Sequence, residues 1–228
     1  VSTSHCVAKG VRLQSGQTHV AYIHSPMRYI WDQLPHYLPG PVRWHPYLEP
    51  LAQGVTAPLR SWDRRTSRRP TALVANSQFV AKRIQRSWGR EASVVYPPVD
   101  TQYFAQAADV PRSGFLVVSA LVPYKKNWLA LEWANQYQQK LTIVGNGPEL
   151  IRLKKAAGPT IEFIEKASRE SVRDAYARAE ALLFCGIEDF GIVPVEAMAA
   201  GCPVVAFSQG GALETVGERN SSVGGVLF

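Results

Sequence analysis

Residues Ala181–Phe207 read ALLFCGIEDFGIVPVEAMAAGCPVVAF, and this stretch decides the fold. Ala181–Phe184 and Pro203–Phe207 are short apolar runs with the look of buried strands. Between them Pro194 suits the first position of a helix and Gly201 the residue just past its end. The order is therefore strand, loop, helix, strand. Glu188 falls in the loop and Glu196, eight positions later, in the expected first helical turn. The first amides of such a helix lack acceptors within it and can face a ligand. A site of this kind offers carboxylates to hydroxyl groups at two depths and N–H donors to an anion. On spacing alone an ordinary corner, with Glu196 favoured by the helix dipole, is an equally complete account.

The same alternation extends outward. Phe115–Ser119, Leu141–Val144 and Thr160–Ile164 are further short apolar runs, separated by helical stretches. In Ser171–Ala181 the residues Val172, Ala175, Tyr176 and Ala179 form one helical face, and Ser168 suits the N-cap. Strands alternating with helices at this spacing predict a parallel sheet in a doubly wound α/β domain, which binds ligands beyond the carboxyl ends of its strands.

The first hundred residues are less regular. Thr18–Ile23, Thr71–Ala75 and Ala92–Val95 read as strands, and Gln78–Trp88 as a helix capped by Ser77. Pro26, Pro35, Pro39, Pro41, Pro46, Pro50 and Pro58 are expected to break up the region between. The predicted organisation is one α/β domain over residues 1–96, a linker over 97–113 and a second α/β domain over 114–228.

Hydrophobic residues make up 46% and charged residues 19% of the 228-residue chain, which describes an ordinary globular protein rather than a disordered one. No apolar run reaches the length of a membrane span, and the first residues do not form a signal peptide. Three separated cysteines give neither a disulfide framework nor a zinc pattern. His5, His19, His24, His36 and His45 lack metal-ligand spacing, so no metal and a reducing, cytoplasmic setting are expected. The net charge of +7 is concentrated between Arg60 and Arg90, where nine Lys or Arg accompany one acid, Asp63. Nine minus one gives +8 for that segment. A solvated face or an anionic lipid surface fits it, which allows peripheral attachment to the inner face of the cell membrane. Nucleic acid is not expected, because no nucleic-acid motif accompanies the charge.

The run Leu183–Ala206 resembles the E-x7-E signature of retaining GT-B glycosyltransferases of family 4 (glycosyl transferases group 1). Its form is similar to that of mannosyltransferases building O-antigen and other surface polysaccharides. His24-Ser25-Pro26-Met27-Arg28-Tyr29, Ala75-Asn76-Ser77-Gln78-Phe79-Val80 and Val118–Lys126 resemble further segments of that family, in order along the chain. The resemblance implies two Rossmann-like, doubly wound parallel-sheet domains facing a cleft, both incomplete here. The family's N-terminal glycine-rich loop has no counterpart, so both ends are expected to be cut and the isolated chain not to turn over.

By resemblance, Lys125 is the diphosphate-binding lysine. Many members carry an arginine five residues earlier where this chain has Ala120, and Lys126 is expected to compensate in part. Glu196 would bind the nucleotide ribose, and Glu188 would sit at the transferred hexose. Asp189, Phe190, Gly191 and Ile192 would hold the sugar, the last three through backbone amides. Gly145 in Gly145-Asn146-Gly147-Pro148 would lie beside the nucleotide. His24 would reach the transferred sugar, while Arg28 would face donor or acceptor phosphate. Gly210-Gly211 reads as a structural turn. The implied activity is a metal-independent hexosyl transfer with retention, from a nucleotide sugar (GDP-mannose favoured) to a lipid-linked saccharide. The leaving phosphate would assist the incoming hydroxyl on the same face. Two other readings are a non-catalytic nucleotide-binding module and a sugar-nucleotide epimerase of the same architecture.

Overall fold

The computed structural model describes residues 1–4, 6–32, 34, 48–217 and 224–228. His5, His36, His45, Pro35, Pro39, Pro41 and Pro46 lie outside them. The chain divides into two units, Val1–Pro97 and Pro98–Phe228.

In the first unit β1 (Ser2–Ser4), β2 (Val20–Ile23), β3 (Ala72–Ala75) and β4 (Ser93–Val94) form a parallel sheet in that order. Helix α1 (Arg28–Trp31) follows β2, α2 (Leu48–Thr66) precedes β3, and α3 (Gln78–Trp88) follows it. The Ser77 hydroxyl accepts from the Val80 amide at 3.0 Å, and Gly89 closes α3 with φ +67°. A cap of this type is worth ~1 kcal/mol. Val80, Ile84 and Trp88 recur every fourth residue and bury against Ala21, Ile23, Leu73 and Ala75. Each large apolar side chain so buried contributes ~1.5–3 kcal/mol.

One expectation fails in this unit. The prolines do not break up its last approach to β3, because α2 runs for 19 residues with Pro58 inside it. Pro58 leaves the Gly54 carbonyl without its usual partner, yet the helix is held from outside. Asp63 of α2 is fully buried, and its carboxylate accepts from three side chains. Lys9 Nζ donates to its Oδ1 at 2.5 Å, and the indoles of Trp31 and Trp88 donate to its Oδ2 at 2.8 and 2.6 Å. Lys9 also donates to the Cys6 carbonyl at 2.8 Å and lies over the rings of Trp62 and Trp88. These tertiary contacts override the local signal of one proline.

In the second unit β5 (Phe115–Val118), β6 (Leu141–Val144), β7 (Ile161–Ile164), β8 (Ala181–Phe184), β9 (Val204–Ala206) and β10 (Gly225–Leu227) form a parallel sheet. Its order is β10-β9-β8-β5-β6-β7. The chain winds outward one way from β5 and the other way from β8, so the sheet reverses direction between those two strands. Helices α5 (Asn127–Gln136) and α6 (Leu150–Ala156) cover one face over Val117, Leu141 and Ile143. Helices α7 (Arg169–Arg178), α8 (Ile192–Ala199) and α9 (Ala212–Thr215) cover the other over Leu116, Leu182, Val204 and Ala206. Residues 97–113, expected as a linker, carry the short helix α4 (Thr101–Phe104), whose Phe104 is buried in that second core. Among the described residues no helix is long and apolar enough to cross a membrane.

Candidate active site

The point where the second sheet reverses is where an open α/β sheet leaves a crevice at its carboxyl edge. Two loops meet there, one leaving β5 and one leaving β8. The β5 loop enters a 3-10 turn at Pro123–Lys125, and Lys126, with φ +52°, starts α5. Asn127 is buried and donates to the Ala120 carbonyl at 3.3 Å, which holds the loop against its own strand. A side-chain carbon on Gly186 would stand 3.0 Å from Lys125 Cα, so the loops pack backbone against backbone.

Lys125 Nζ pairs with Glu188 Oε1 across this junction. Their side chains are 19% and 18% exposed, sheltered enough to strengthen the attraction yet open to a ligand. Lys126 does not join the pair, and its Nζ lies 5.2 Å from the Phe207 ring centroid. Cys185, next to the loop, is buried, and burial pushes its thiol up to about 11, away from nucleophilic use.

The Glu188 carbonyl accepts from the Gly211 amide at 2.8 Å. A side-chain carbon on Gly210 would meet the Glu188 carbonyl oxygen at 2.5 Å, and one on Gly211 the Phe190 carbonyl oxygen at 2.3 Å. The glycine pair is thus a turn seated against the back of the Glu188–Phe190 loop. Gly145 has the same relation to the β5 loop, since a side-chain carbon there would fall 1.9 Å from the Ser119 carbonyl oxygen.

Helix α8 starts two residues earlier than Pro194 suggests. Gly191, at φ +96°, is its N-cap, Ile192 its first residue and Pro194 its third. The amides of Ile192 and Val193 have no acceptor within the helix. Glu196 therefore stands in the second turn, a correction to its expected first-turn place. Gly201 does follow the end, at φ +75°. A left-handed glycine allows the chain to enter the helix before the proline is reached. Glu196 Oε2 accepts from the Tyr176 hydroxyl at 3.2 Å. Burial raises the pKa of Glu196, and the Tyr176 hydrogen bond and the charge of Arg169 oppose that rise. Tyr176 is fully buried, with Phe104 edge-on to it at 5.8 Å. It entered the sequence reading only as part of an apolar helix face, because a partner 20 residues away leaves no local signal. Arg169 donates to Asp100 at 2.6 Å and lies 4.1 Å from the Tyr103 ring centroid. Its bond holds the exposed Asp100 carboxyl below the usual range.

His24 and Arg28 belong to the first unit. His24 directly follows β2 at that sheet's carboxyl edge, its Nε2 2.8 Å from the Thr3 hydroxyl and its ring edge-on to Tyr22 at 5.5 Å. Arg28 opens α1. The residues expected to bind donor, Lys125, Lys126, Gly145, Asp189, Phe190, Gly191, Ile192 and Glu196, all lie in the second unit together with Glu188. A separate hollow of about 460 Å³ flanks α7, lined by Thr142, Glu162, Ile164, Asp174 and Arg178, and holds none of them.

Residues 100–228 match the family described as glycosyl transferases group 1, and residues 2–103 match glycosyltransferase family 4. A D-inositol 3-phosphate glycosyltransferase of Mycobacterium leprae is 29% identical over 206 residues, covering 78% of this chain and 48% of its own. A GDP-mannose-dependent alpha-(1-6)-phosphatidylinositol monomannoside mannosyltransferase of Mycolicibacterium smegmatis is 28% identical, covering 61% of this chain and 45% of its own. The chain thus spans about half the length of these curated relatives. Among solved structures, Anabaena HepE in complex with UDP-glucose superposes with a TM-score of 0.65 at 19% identity, over 93% of this chain and 58% of its own. TarM superposes with a TM-score of 0.68 at 14% identity, over 96% and 42%. At these identities the likeness is one of fold, and it is that of the GT-B architecture.

Proposed function

The chain belongs to the glycosyl transferases group 1 family, and on that premise we propose that it serves transfer of a hexose from a nucleotide-diphospho-sugar to a saccharide acceptor with retention of configuration. The observation that carries this reading is the Lys125–Glu188 pair at the reversal of the second sheet. A cation and a carboxylate at one crevice match the two ends of the donor's scissile bond.

In this reading the bond between the hexose C1 and the diphosphate oxygen breaks, and negative charge grows on the departing oxygens. Lys125, seconded by Lys126 in the absence of an arginine at Ala120, meets that charge. The first amides of α8 add fixed donors, which act without reorganising as the charge develops. Glu188 orients the hexose hydroxyls, while Glu196 accepts from the ribose. The acceptor oxygen forms its bond to C1 on the face the phosphate leaves, and its proton passes to a leaving phosphate oxygen. His24 is assigned to the transferred sugar and Arg28 to a phosphate. These side chains and amides take the part a metal would play.

Mannose as the sugar and a lipid-linked saccharide as the acceptor draw support from the name of the mycolicibacterial relative. That acceptor would place the enzyme at the cytoplasmic face of a membrane. The UDP-glucose bound to HepE makes uracil the competing base. Thermal shift with GDP-mannose, UDP-glucose and an ADP-sugar decides between them. The preferred donor at 100 times its dissociation constant should add ~2.7 kcal/mol of stability. Stabilisation by UDP-glucose alone would reject GDP-mannose, and none by any donor would reject the site.

A further inference from the structure

The basic segment of the first unit is not a uniform charged face. Of its nine cations, five are tied into the fold. Arg60 Nε donates to the Ile30 carbonyl at 2.5 Å, Arg64 Nε to the Ser87 carbonyl at 3.1 Å, and Arg69 to the Gly10 carbonyl. Arg83 bridges Asp32 at 2.6 Å, and Arg90 donates to the Ser67 and Pro70 carbonyls. The charge is nevertheless concentrated, because two of these tethered arginines share a cleft with two others. Arg60, Arg64, Arg65 and Arg68 line one cleft of about 350 Å³ with Ser61 and Trp31.

Three features of this cleft point to a ligand. Among the described residues its lining holds four guanidinium groups and no acid. Asp63, between Arg60 and Arg64 on the same helix, is fully buried and faces Lys9, and Asp32 is taken by Arg83. Arg60 and Arg64 also stand four residues apart on α2, where like charges repel by ~0.2–0.5 kcal/mol. Finally, Arg60 and Arg64 are tethered through Nε only and lie 5.7 and 5.4 Å from the Trp31 ring centroid. The tether and the ring together limit the positions these guanidinium groups can take. Fixed planar guanidinium groups suit the paired oxygens of a phosphate.

We propose that the cleft formed by Arg60, Arg64, Arg65, Arg68 and Trp31 is a binding site for a phosphate or pyrophosphate group, distinct from the donor site of the second unit. The group is carried either by a soluble phosphate ester or by a lipid headgroup. The site stands independently of the transferase reading.

The test uses the full chain in a Lys125→Ala background, which removes the donor-site cation. Inorganic pyrophosphate is titrated by calorimetry. In parallel, phosphatidylcholine vesicles with and without phosphatidic acid are co-sedimented. Arg65→Gln with Arg68→Gln removes two cleft charges that make no other bond among the described residues. Lys82→Gln with Arg86→Gln removes the same charge from the exposed face of α3, outside the cleft, and is the matched control. The cleft variant should bind at least ~10-fold more weakly, the equivalent of one charge-assisted hydrogen bond. The control should stay within ~2-fold, with both variants melting like the parent. Saturable pyrophosphate binding assigns the soluble source. Cleft-dependent binding to phosphatidic acid vesicles alone assigns the headgroup. Equal loss in cleft and control variants, or no cleft-dependent binding in either arm, overturns the proposal.

Discussion

Each unit sets a lysine against a carboxylate in a sheltered place, Lys9 with Asp63 and Lys125 with Glu188, and these two pairs have opposite characters. Lys9 and Asp63 are 1% and 0% exposed. The carboxylate has two indole donors besides the lysine, and the lysine has a backbone carbonyl besides the carboxylate. Lys125 and Glu188 are each nearly a fifth exposed and lie between two loops at a sheet edge. The first pair is closed on all sides, so its charges have no alternative partner, and it holds α2 to the loop after β1. The second pair can exchange partners. A diphosphate can take the lysine, and a sugar can take the glutamate. Coordination around a pair, rather than its chemistry, separates a strut from a site.

The largest expected effect breaks the closed pair. Asp63→Ala leaves Lys9 charged and buried and orphans two indole donors, which should cost ~3–5 kcal/mol in denaturant unfolding. A loss under ~1 kcal/mol would mean water reaches Lys9 and the pairs differ less than argued. Next, Lys125→Ala should leave the melting temperature nearly unchanged. It should weaken nucleoside diphosphate binding by ~10–150-fold, the range for a charge-assisted hydrogen bond. Comparable losses of stability at both lysines would erase the contrast.

Glu188→Gln sharpens it. Releasing Lys125 from its partner should tighten binding of the free nucleoside diphosphate by ~2–5-fold, the worth of a partly exposed ion pair. Turnover of the full-length enzyme should fall by at least ~10-fold as the sugar loses its acceptor. Unchanged or weaker nucleotide affinity would show that the pair does not compete with ligand.

The smallest effect concerns Glu196, which lies between the extremes as a half-buried acid with one donor. Its folded pKa is raised, so the folded state binds its proton more readily than the unfolded chain does. That contribution is present below the ordinary glutamate range and is lost as pH rises through the raised value. Glu196→Gln should therefore melt at or up to ~2 °C above the parent at neutral pH. The difference should vanish in acid, while nucleotide binding weakens at neutral pH. A variant less stable at neutral pH would give the carboxylate a structural role.

The contrast also marks what the sequence makes legible. The alternation from Phe115 onward located five of the six strands of the second unit, because each is a short apolar run closed by polar turns; β10, among glycines at residues 224 and 225, was not read as a strand. Ser77 and Ser168 announced their helices, and both hydroxyls accept the amide three residues on. Lys125 and Glu188 stood out because each follows such a strand. Lys9 and Asp63 did not, because 54 residues separate them and only folding brings them together. Asp63 appeared merely as the lone acid among arginines, and Pro58 as a break rather than a residue inside α2. The start of α8 was misplaced because a proline is a local preference, whereas Gly191 in a left-handed conformation admits the helix sooner. The arginines were counted as surface charge, although five of the nine cations in that segment serve the fold.

The glycine pair at residues 210 and 211 has a thermodynamic consequence for the loop it backs. Fixing the backbone of one residue costs ~1–2 kcal/mol of conformational entropy. With Gly211 bonded to the Glu188 carbonyl and no side chain to hold the two segments apart, residues 188–190 meet that cost as the protein folds. A sugar arriving there does not have to order them, so its contacts count toward affinity almost undiminished. Adding a single methyl group at position 211 would transfer the ordering cost to the binding step, weakening affinity without removing any group that touches the ligand.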